Sequence, residues 1–418
     1  MQDLLFLAHR LPYPPVKGDK IRSWNILRHL AQRYRVHVGC FVDDRHDWQY
    51  VDEVARIAAS HCILPLSPRW SRVKSLGGLI RGEPLSVAYF RQAGLQHWVD
   101  DVMARHRPKR AFIYCSAMAP YVMTPVTRSM RRIVDMVDVD SDKWRQYASR
   151  HSWPVSAIYA REAATLLAFE RRVAADCAAT LFVSPHEAEL FRGLAPESAS
   201  RVRHVNNGVD ADFFDPSGRF DNPYSPDELP VVFTGAMDYW PNVDAVMWFA
   251  SEVMPRTASR GLPIRFHVVG SNPTAEVRAL GRNPRIAVTG RVPDVRPYLL
   301  HAAAVVAPLR ITRGVQNKVL EGMAMARPVL ATSAALEGIE AEPGRHVVLA
   351  DRPEDFAEKL LLLLQDRQAE EFGRRARAHV LATYGWQQNL ARLDEVLDDD
   401  GLSGPGEPHA VDVGHVAA

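Results

Sequence analysis

Short apolar runs punctuate the chain, and each is followed by a stretch with helical spacing. Seven precede residue 208: DLLFLA, RVHVGCFV, HCILPL, RAFIYCSA, RRIVDMVDV, TLFVS and RVRHVNN. Six follow residue 230: PVVFTGA, IRFHVVG, RIAVTGRV, AAVVAPL, RPVLATSA and RHVVLAD. Alternation of this kind implies parallel sheets with helices on both faces, because each parallel connection needs a crossover. The rhythm breaks once, at GVDADFFDPSGRFDNPYSPDELP, residues 208–230, whose Asp, Pro, Gly and Ser content reads as a linker. The 418 residues therefore divide into two doubly wound α/β domains. After Asp351 only helical patterns continue, ending in DDDGLSGPGEPHAVDVGHVAA, which reads as a mobile tail.

Two such domains in one chain clasp a ligand between the carboxyl ends of their sheets, so the loops that follow strands should line the cleft. A hydrophobic fraction of 47% with 24% charged residues is that of a globular enzyme. The net charge of +2 excludes a generally basic, nucleic-acid-binding chain, so any anion site must be local. Cys40, Cys62, Cys115 and Cys177 are widely spaced in or beside apolar runs, as reduced core thiols are. The start, MQDLLFLAHRLPYPP, lacks a basic n-region, and no stretch reaches membrane-spanning length, so a cytoplasmic protein is expected.

Four loops carry candidate chemistry. In HRLPYPPVKGDKIRSWNILRHLA, Gly18 precedes a helix expected from about Lys20, an arrangement that suits a phosphate and equally a simple turn. In RRIVDMVDVDSDKW, Asp135, Asp138, Asp140 and Asp142 alternate along a strand and beyond its end. They can be read as hard-cation ligands, but alternation sends neighbours to opposite faces. Asp142 reads as a helix cap before Lys143, and Asp138 or Asp140 as an acceptor for a substrate hydroxyl. FTGAMDYWPNVDAVMWF sets Gly235 after a strand, with Pro241 placed to start a helix. Finally, RITRG delivers Gly314 to a helix bearing Lys318 and Glu321 on one face. Its free amides, Lys318, Arg310 and Arg313 suit a diphosphate, and Glu321 suits the paired hydroxyls of a ribose. The competing reading is a solvent-exposed Lys–Glu pair.

VNNGVDADFFDP, residues 205–216, together with NKVLEGMAMARPVLAT, residues 317–332, resembles the retaining family 4 glycosyltransferases of the GT-B fold. The likeness spans nearly the whole chain and takes in PYPPVKGDKIR and VTGRVPDVRPYL. VDVDSDKW and GVQNKVLEGMAMARPV resemble, more narrowly, the sugar transferases found with exosortase-linked exopolysaccharide systems of bacteria. The resemblance implies an acceptor-side Rossmann-like domain at 1–208 and a nucleotide-sugar-binding one at 209–384. A terminal helix at 385–400, around Trp386, would cross back to the first domain, and 401–418 would be the tail. It further implies sugar transfer from a nucleoside diphosphate donor to a polyprenyl-diphosphate-linked glycan, with no cofactor and no metal. The donor-binding set becomes Gly18, Gly235, Arg310, Gly314, Val315, Asn317 and Glu321, and the catalytic set Lys318, Arg313 and Asp138.

Three positions depart from the family pattern. Arg313 stands eight residues before Glu321, where many members carry a second glutamate. The usual Arg and Lys after the donor domain's first strand fall near Ala236 and Pro241, and a His–Asp pair becomes Val137 and Asp138. A sugar-nucleotide epimerase of the same fold, or a non-catalytic partner that binds the nucleotide sugar, are the competing functions. PRWSRVKSLGGLIRGEPLSVAYF mixes Arg69, Arg72, Lys74 and Arg81 with Trp70, Leu76, Leu79 and Ile80. Such a stretch either rests on an anionic membrane surface, making the protein peripheral on the inner face, or turns its apolar side into the core.

Overall fold

The computed structural model describes residues 1–399 apart from 16–17, 76, 259–260, 313–314 and 367, and only the backbone of Ile80 and Arg150. Arg313 and Gly314, both expected at the site, lie outside the described residues, as do Leu76 and the terminal segment 401–418.

Each apolar run forms a strand. The first sheet comprises β1 (Gln2–Ala8), β2 (Tyr34–Val42), β3 (Ser60–Pro65), β4 (Arg110–Tyr114), β5 (Arg131–Val137), β6 (Ala179–Phe182) and β7 (Val202–His204). All are parallel, in the order β3-β2-β1-β4-β5-β6-β7. The second comprises β8 (Leu229–Thr234), β9 (Ile264–Val269), β10 (Ile286–Gly290), β11 (Ala304–Ala307), β12 (Val329–Ala331) and β13 (Val348–Leu349). It is also parallel, in the order β10-β9-β8-β11-β12-β13. The strand order reverses between β1 and β4 in one domain and between β8 and β11 in the other. Connections leave opposite faces of the sheet there, opening the crevice in which doubly wound domains bind ligands.

The central strands are buried on both faces, which accounts for their continuous apolar runs: Leu4 to Ala8 in β1 and Val231 to Phe233 in β8 are 0% exposed. The helix Trp386–Asp398 turns Trp386, Leu390, Leu393 and Leu397 onto the β1–β2 face of the first domain. It follows a chain crossing at which Val209 N–H donates to the Tyr384 carbonyl at 2.8 Å. Gly208 lies under the Trp386 ring, where a Cβ would come within 2.6 Å of it, so the crossing requires glycine. Arg22 binds this junction to the first sheet. Fully buried, it donates to Asp135 at 2.7 Å, to the Val205 carbonyl at 2.7 Å and to Asn207 Oδ1 at 3.0 Å.

Candidate active site

The loops at the two switch points approach one another across the cleft. After β1, residues 9–17 lead to the helix Gly18–Arg33, which begins two residues before the expected Lys20. Its first turn is clamped: Asp19 receives Arg10 at 2.8 Å and faces His9 Nε2 at 3.5 Å, while Tyr114 donates to the Asp19 carbonyl at 2.8 Å. Burial works against ionisation of Asp19, but His9 and Arg10 prevail and hold its carboxyl far below the usual range. That carboxylate is therefore matched by its own cations, and amides at the helix start remain for an anion.

From the second domain, the chain after β11 reaches the helix Asn317–Ala324. The two helix starts meet: a Cβ on Gly18 would lie 3.6 Å from Asn317 Nδ2. Asn317 Oδ1 is buried with no hydrogen-bond partner among the described residues. One turn on, Lys318 and Glu321 sit half-buried on one side of the helix. Lys318 Nζ lies 5.3 Å from the centre of the Phe233 ring and 3.4 Å from Gln316 Oε1. Burial drives the Lys318 ammonium down to about 8 and the Glu321 carboxyl up to about 7, and each charge partly offsets the shift of the other. Neither side chain is exposed, so the pair does not stand in open solvent. Small residues let this helix sit close to the sheet: a Cβ on Gly322 would come within 3.1 Å of Val305 and Val329.

The other expected donor-side residues are placed as follows. Gly235 follows β8 and is packed from both sides: its carbonyl would lie 1.6 Å from a Cβ on Gly270, and its own Cβ would meet Asn242 at 2.7 Å. Close backbone approach thus already accounts for this glycine, although it stands at the switch point. Val315 is buried, beside Gly338, which also touches Ser184 of the first domain. Arg310 is turned to Asp244 in a two-pronged pair, with Nε 3.0 Å from Oδ2, and it lies over Trp248. Its charge is paired there, whereas Lys318 stands beside the helix start.

The first-domain wall is acidic. β5 ends in a bulge at which Val137 adopts φ +70°, a conformation that costs a β-branched residue about 1–3 kcal/mol. It is held by its N–H donating to Asp135 Oδ1 at 3.1 Å and its carbonyl accepting from Val183 at 2.9 Å. The kink presents Asp138 and begins the helix Asp140–Arg150. Two glutamates from distant helices close on this turn: Glu187 accepts the Val139 N–H at 2.8 Å, and Glu170 accepts the Ser141 hydroxyl at 2.5 Å. Burial raises both to about 8, and neighbouring acids, Asp138 for Glu187 and Asp140 for both, add to the rise. Lys143 Nζ lies 3.8 Å from Asp140 Oδ1, and Tyr239 of the other domain acts on its charge. Burial lowers its value, but Asp140, Tyr239 and Asp138 more than restore it. His186 meets Glu337 across the domains at 2.8 Å.

The four aspartates of this segment do not form a cation cage. Asp135 is bound to Arg22, and Asp142 to Arg145 at 2.7 Å within the first helical turn, after Val139 rather than as the cap itself. Among the described residues, one group holds metal-ligand atoms within 4.8 Å of one another, Asp3, His37 and His106. It lies at the amino ends of the strands, opposite the cleft. Glu170, Glu187, Tyr239 and Glu337 were not expected at the site. Only SPHE at 184–187 carries a local sign, a serine cap with glutamate three residues on, and Ser184 does accept the Glu187 N–H at 3.2 Å.

Two parallel doubly wound domains, a crossing terminal helix and a cleft at paired switch points define one arrangement. The chain has the GT-B fold. Solved structures that share it include Anabaena Alr3699/HepE in complex with UDP-glucose, at TM-score 0.64 and 14% identity over 95% of this chain and 99% of that one. Sucrose-phosphate synthase from Thermosynechococcus elongatus superposes at TM-score 0.68 and 14% identity over 95% and 98%. WaaG, a glycosyltransferase involved in lipopolysaccharide biosynthesis, does so at 0.65 and 14% over 94% and 100%. Residues 228–366 of this GT-B chain match the family described as glycosyl transferases group 1. No curated protein matches it in sequence.

Proposed function

We propose that the protein is a retaining, family 4-like glycosyltransferase that moves a sugar from a nucleoside diphosphate to a lipid-linked glycan. The observation that carries this is the meeting of two helix starts, Gly18 and Asn317, beside the half-buried Lys318 and Glu321. Backbone amides, helix dipoles and Lys318 together suit a diphosphate. Glu321, one turn deeper, suits the ribose hydroxyls. The match of the second domain to glycosyl transferases group 1, and a neighbour holding UDP-glucose, support the same donor class.

The polarity of the cleft orients that donor. Phosphates are drawn to the Lys318 side and repelled by Asp138 and Asp140 opposite, so the sugar points to the acidic wall. Carboxylates there accept hydrogen bonds from sugar hydroxyls of donor and acceptor. In a retaining transfer the bond from the anomeric carbon to the diphosphate breaks while the acceptor oxygen bonds on the same face. The departing phosphate oxygen takes the acceptor's proton. Lys318 and the helix amides stabilise the charge that builds on that oxygen. The motif likeness to sugar transferases of exosortase-linked systems supports exopolysaccharide synthesis as the setting and a polyprenyl diphosphate as the acceptor's carrier.

Release of free nucleoside diphosphate from UDP-, GDP- and TDP-sugars, with and without a polyprenyl-diphosphate glycan, tests this reading. Acceptor-dependent release is expected; an epimerised nucleotide sugar formed without acceptor would overturn it.

A further inference from the structure

The segment after β3 folds with its polarity reversed. In the helix Pro68–Ser75 the buried side chains are Ser71 and Ser75, whereas Trp70 is 69% and Val73 59% exposed. Leu79, in the short helix Gly77–Arg81, is 45% exposed. A helix on a globular surface ordinarily turns its apolar stripe inward; the helix Pro68–Ser75 does not, although further along the same stretch Val87 is buried in the core. A second stretch repeats the inversion. Between the helices Asp140–Arg150 and Val155–Asp176, Trp153 is 81% exposed, and Ile158 follows at 51%.

The two stretches adjoin. Arg161 donates to the carbonyls of Gly78 at 3.2 Å and Glu83 at 3.3 Å, and Glu162 accepts the N–H groups of Leu85 and Ser86 at 2.8 and 2.9 Å. Their charge is also one-sided. Residues 66–82 hold Arg69, Arg72, Lys74 and Arg81 with no acid, and residues 143–161 hold Lys143, Arg145, Arg150 and Arg161 with no acid. The chain as a whole is balanced, at 51 basic and 49 acidic residues. Lys143 pairs with Asp140 and Arg145 with Asp142, so the cations that face solvent around Trp70 are Arg69, Arg72, Lys74 and Arg81.

We propose that this face, built on Trp70, Val73, Leu79, Trp153 and Ile158 amid those cations, seats the protein on an anionic lipid bilayer. Tryptophans among lysines and arginines are the chemistry of the headgroup region: the rings enter the apolar boundary while the cations meet lipid phosphates. A protein-binding patch would instead be depleted of lysine at its centre. The position serves the cleft. The helix Asp140–Arg150 starts at the acidic wall and ends at this face, and its 11 residues span about 16 Å. An acceptor anchored in the bilayer could thus place its glycan at the wall; this last step rests on the proposed transferase reading, while the membrane contact does not.

The test is co-sedimentation of the full chain, and its tryptophan emission, with phosphatidylcholine vesicles with and without phosphatidylglycerol, at low and high salt. Two variants are compared, Trp70→Ser/Trp153→Ser and Arg69→Glu/Arg72→Glu/Lys74→Glu, all at exposed positions, with thermal midpoints to confirm folding. Wild type should bind phosphatidylglycerol vesicles, with a blue-shifted emission, and release in salt. At about fivefold per cation removed, the charge variant should lose roughly a hundredfold in partitioning. No binding at low salt, equal binding to pure phosphatidylcholine, or wild-type binding by both variants would overturn the proposal. Self-association that the same substitutions abolish, without vesicle binding, would assign the face to a second copy instead. Binding of UDP, GDP and TDP measured in parallel separates the two readings: if wild type binds vesicles but none of the three nucleotides, the transferase reading fails and the membrane contact stands.

Discussion

The two walls of the cleft are built by different logic. The second-domain wall comes from one continuous segment, in which a strand, a loop and a helix set Lys318 and Glu321 beside the start of the helix Asn317–Ala324. The first-domain wall is assembled from afar. Asp138 and Asp140 lie on a strained turn, Glu170 arrives from a helix 29 residues beyond Ser141, and Glu187 from one 48 residues beyond Val139. A local wall can hold a common ligand part with a short motif. An assembled wall can vary its acids one at a time, which suits the sugar-reading side of the proposed transferase.

The largest expected effect falls on the local wall. Lys318→Ala should lower turnover by about 10²–10³, the usual loss when one preorganised donor to developing charge is removed. Donor affinity should fall less. Single-turnover rates set beside donor binding will show this split, and equal loss in both would remove Lys318 from the charge-stabilising role.

Next comes the start of the first helix. A Cβ on Gly18 meets only Asn317, at ordinary contact distance, so Gly18→Glu should fold. Its added carboxylate should weaken nucleotide binding by about tenfold, of the order expected for one charge at a helix start. Calorimetric titration with UDP will show whether the first domain takes part in holding the donor.

pH sharpens the contrast between the walls. Lys318, at about 8, is protonated at pH 7 and loses its charge as the pH rises through 8, so nucleotide affinity should fall on that limb. In Glu321→Gln the carboxylate that raises Lys318 is gone, and the fall should begin at lower pH. The acidic wall instead affects stability. Glu187 has a folded value of about 8 against about 4.3 when unfolded, so the folded state binds the extra proton between these values. Stability should therefore decline as pH rises from about 4.3 to about 8, and Glu187→Gln should make the decline shallower in urea melts recorded across that range. The smallest effect is expected at Arg310. It is committed to Asp244 on an exposed face, so Arg310→Ala should change donor affinity by no more than about twofold and stability by at most about 1 kcal/mol.

The same division explains what could be read from the sequence. All thirteen strands follow from apolar runs, because parallel strands covered on both faces leave no polar alternation to obscure them. Lys318 and Glu321 are legible because one helical turn brings them together. Arg310 looked like a third cation for the diphosphate, yet its partner Asp244 lies 66 residues away, a pairing that no spacing rule exposes. Glu170 and Glu187 were invisible for the same reason. The reversed helix at Pro68–Ser75 shows another limit: its basic and apolar residues were evident, but the direction each side faces depends on which neighbours take Ser71 and Ser75 inward.

The account stands most directly on the donor site spanning both helix starts. Titration of UDP into wild type and Glu321→Ala, at pH 7 and matched thermal stability, addresses it. Saturable binding by wild type, weakened at least tenfold in the variant, is the predicted result. Equal affinity in the two proteins would place the nucleotide elsewhere and contradict the account.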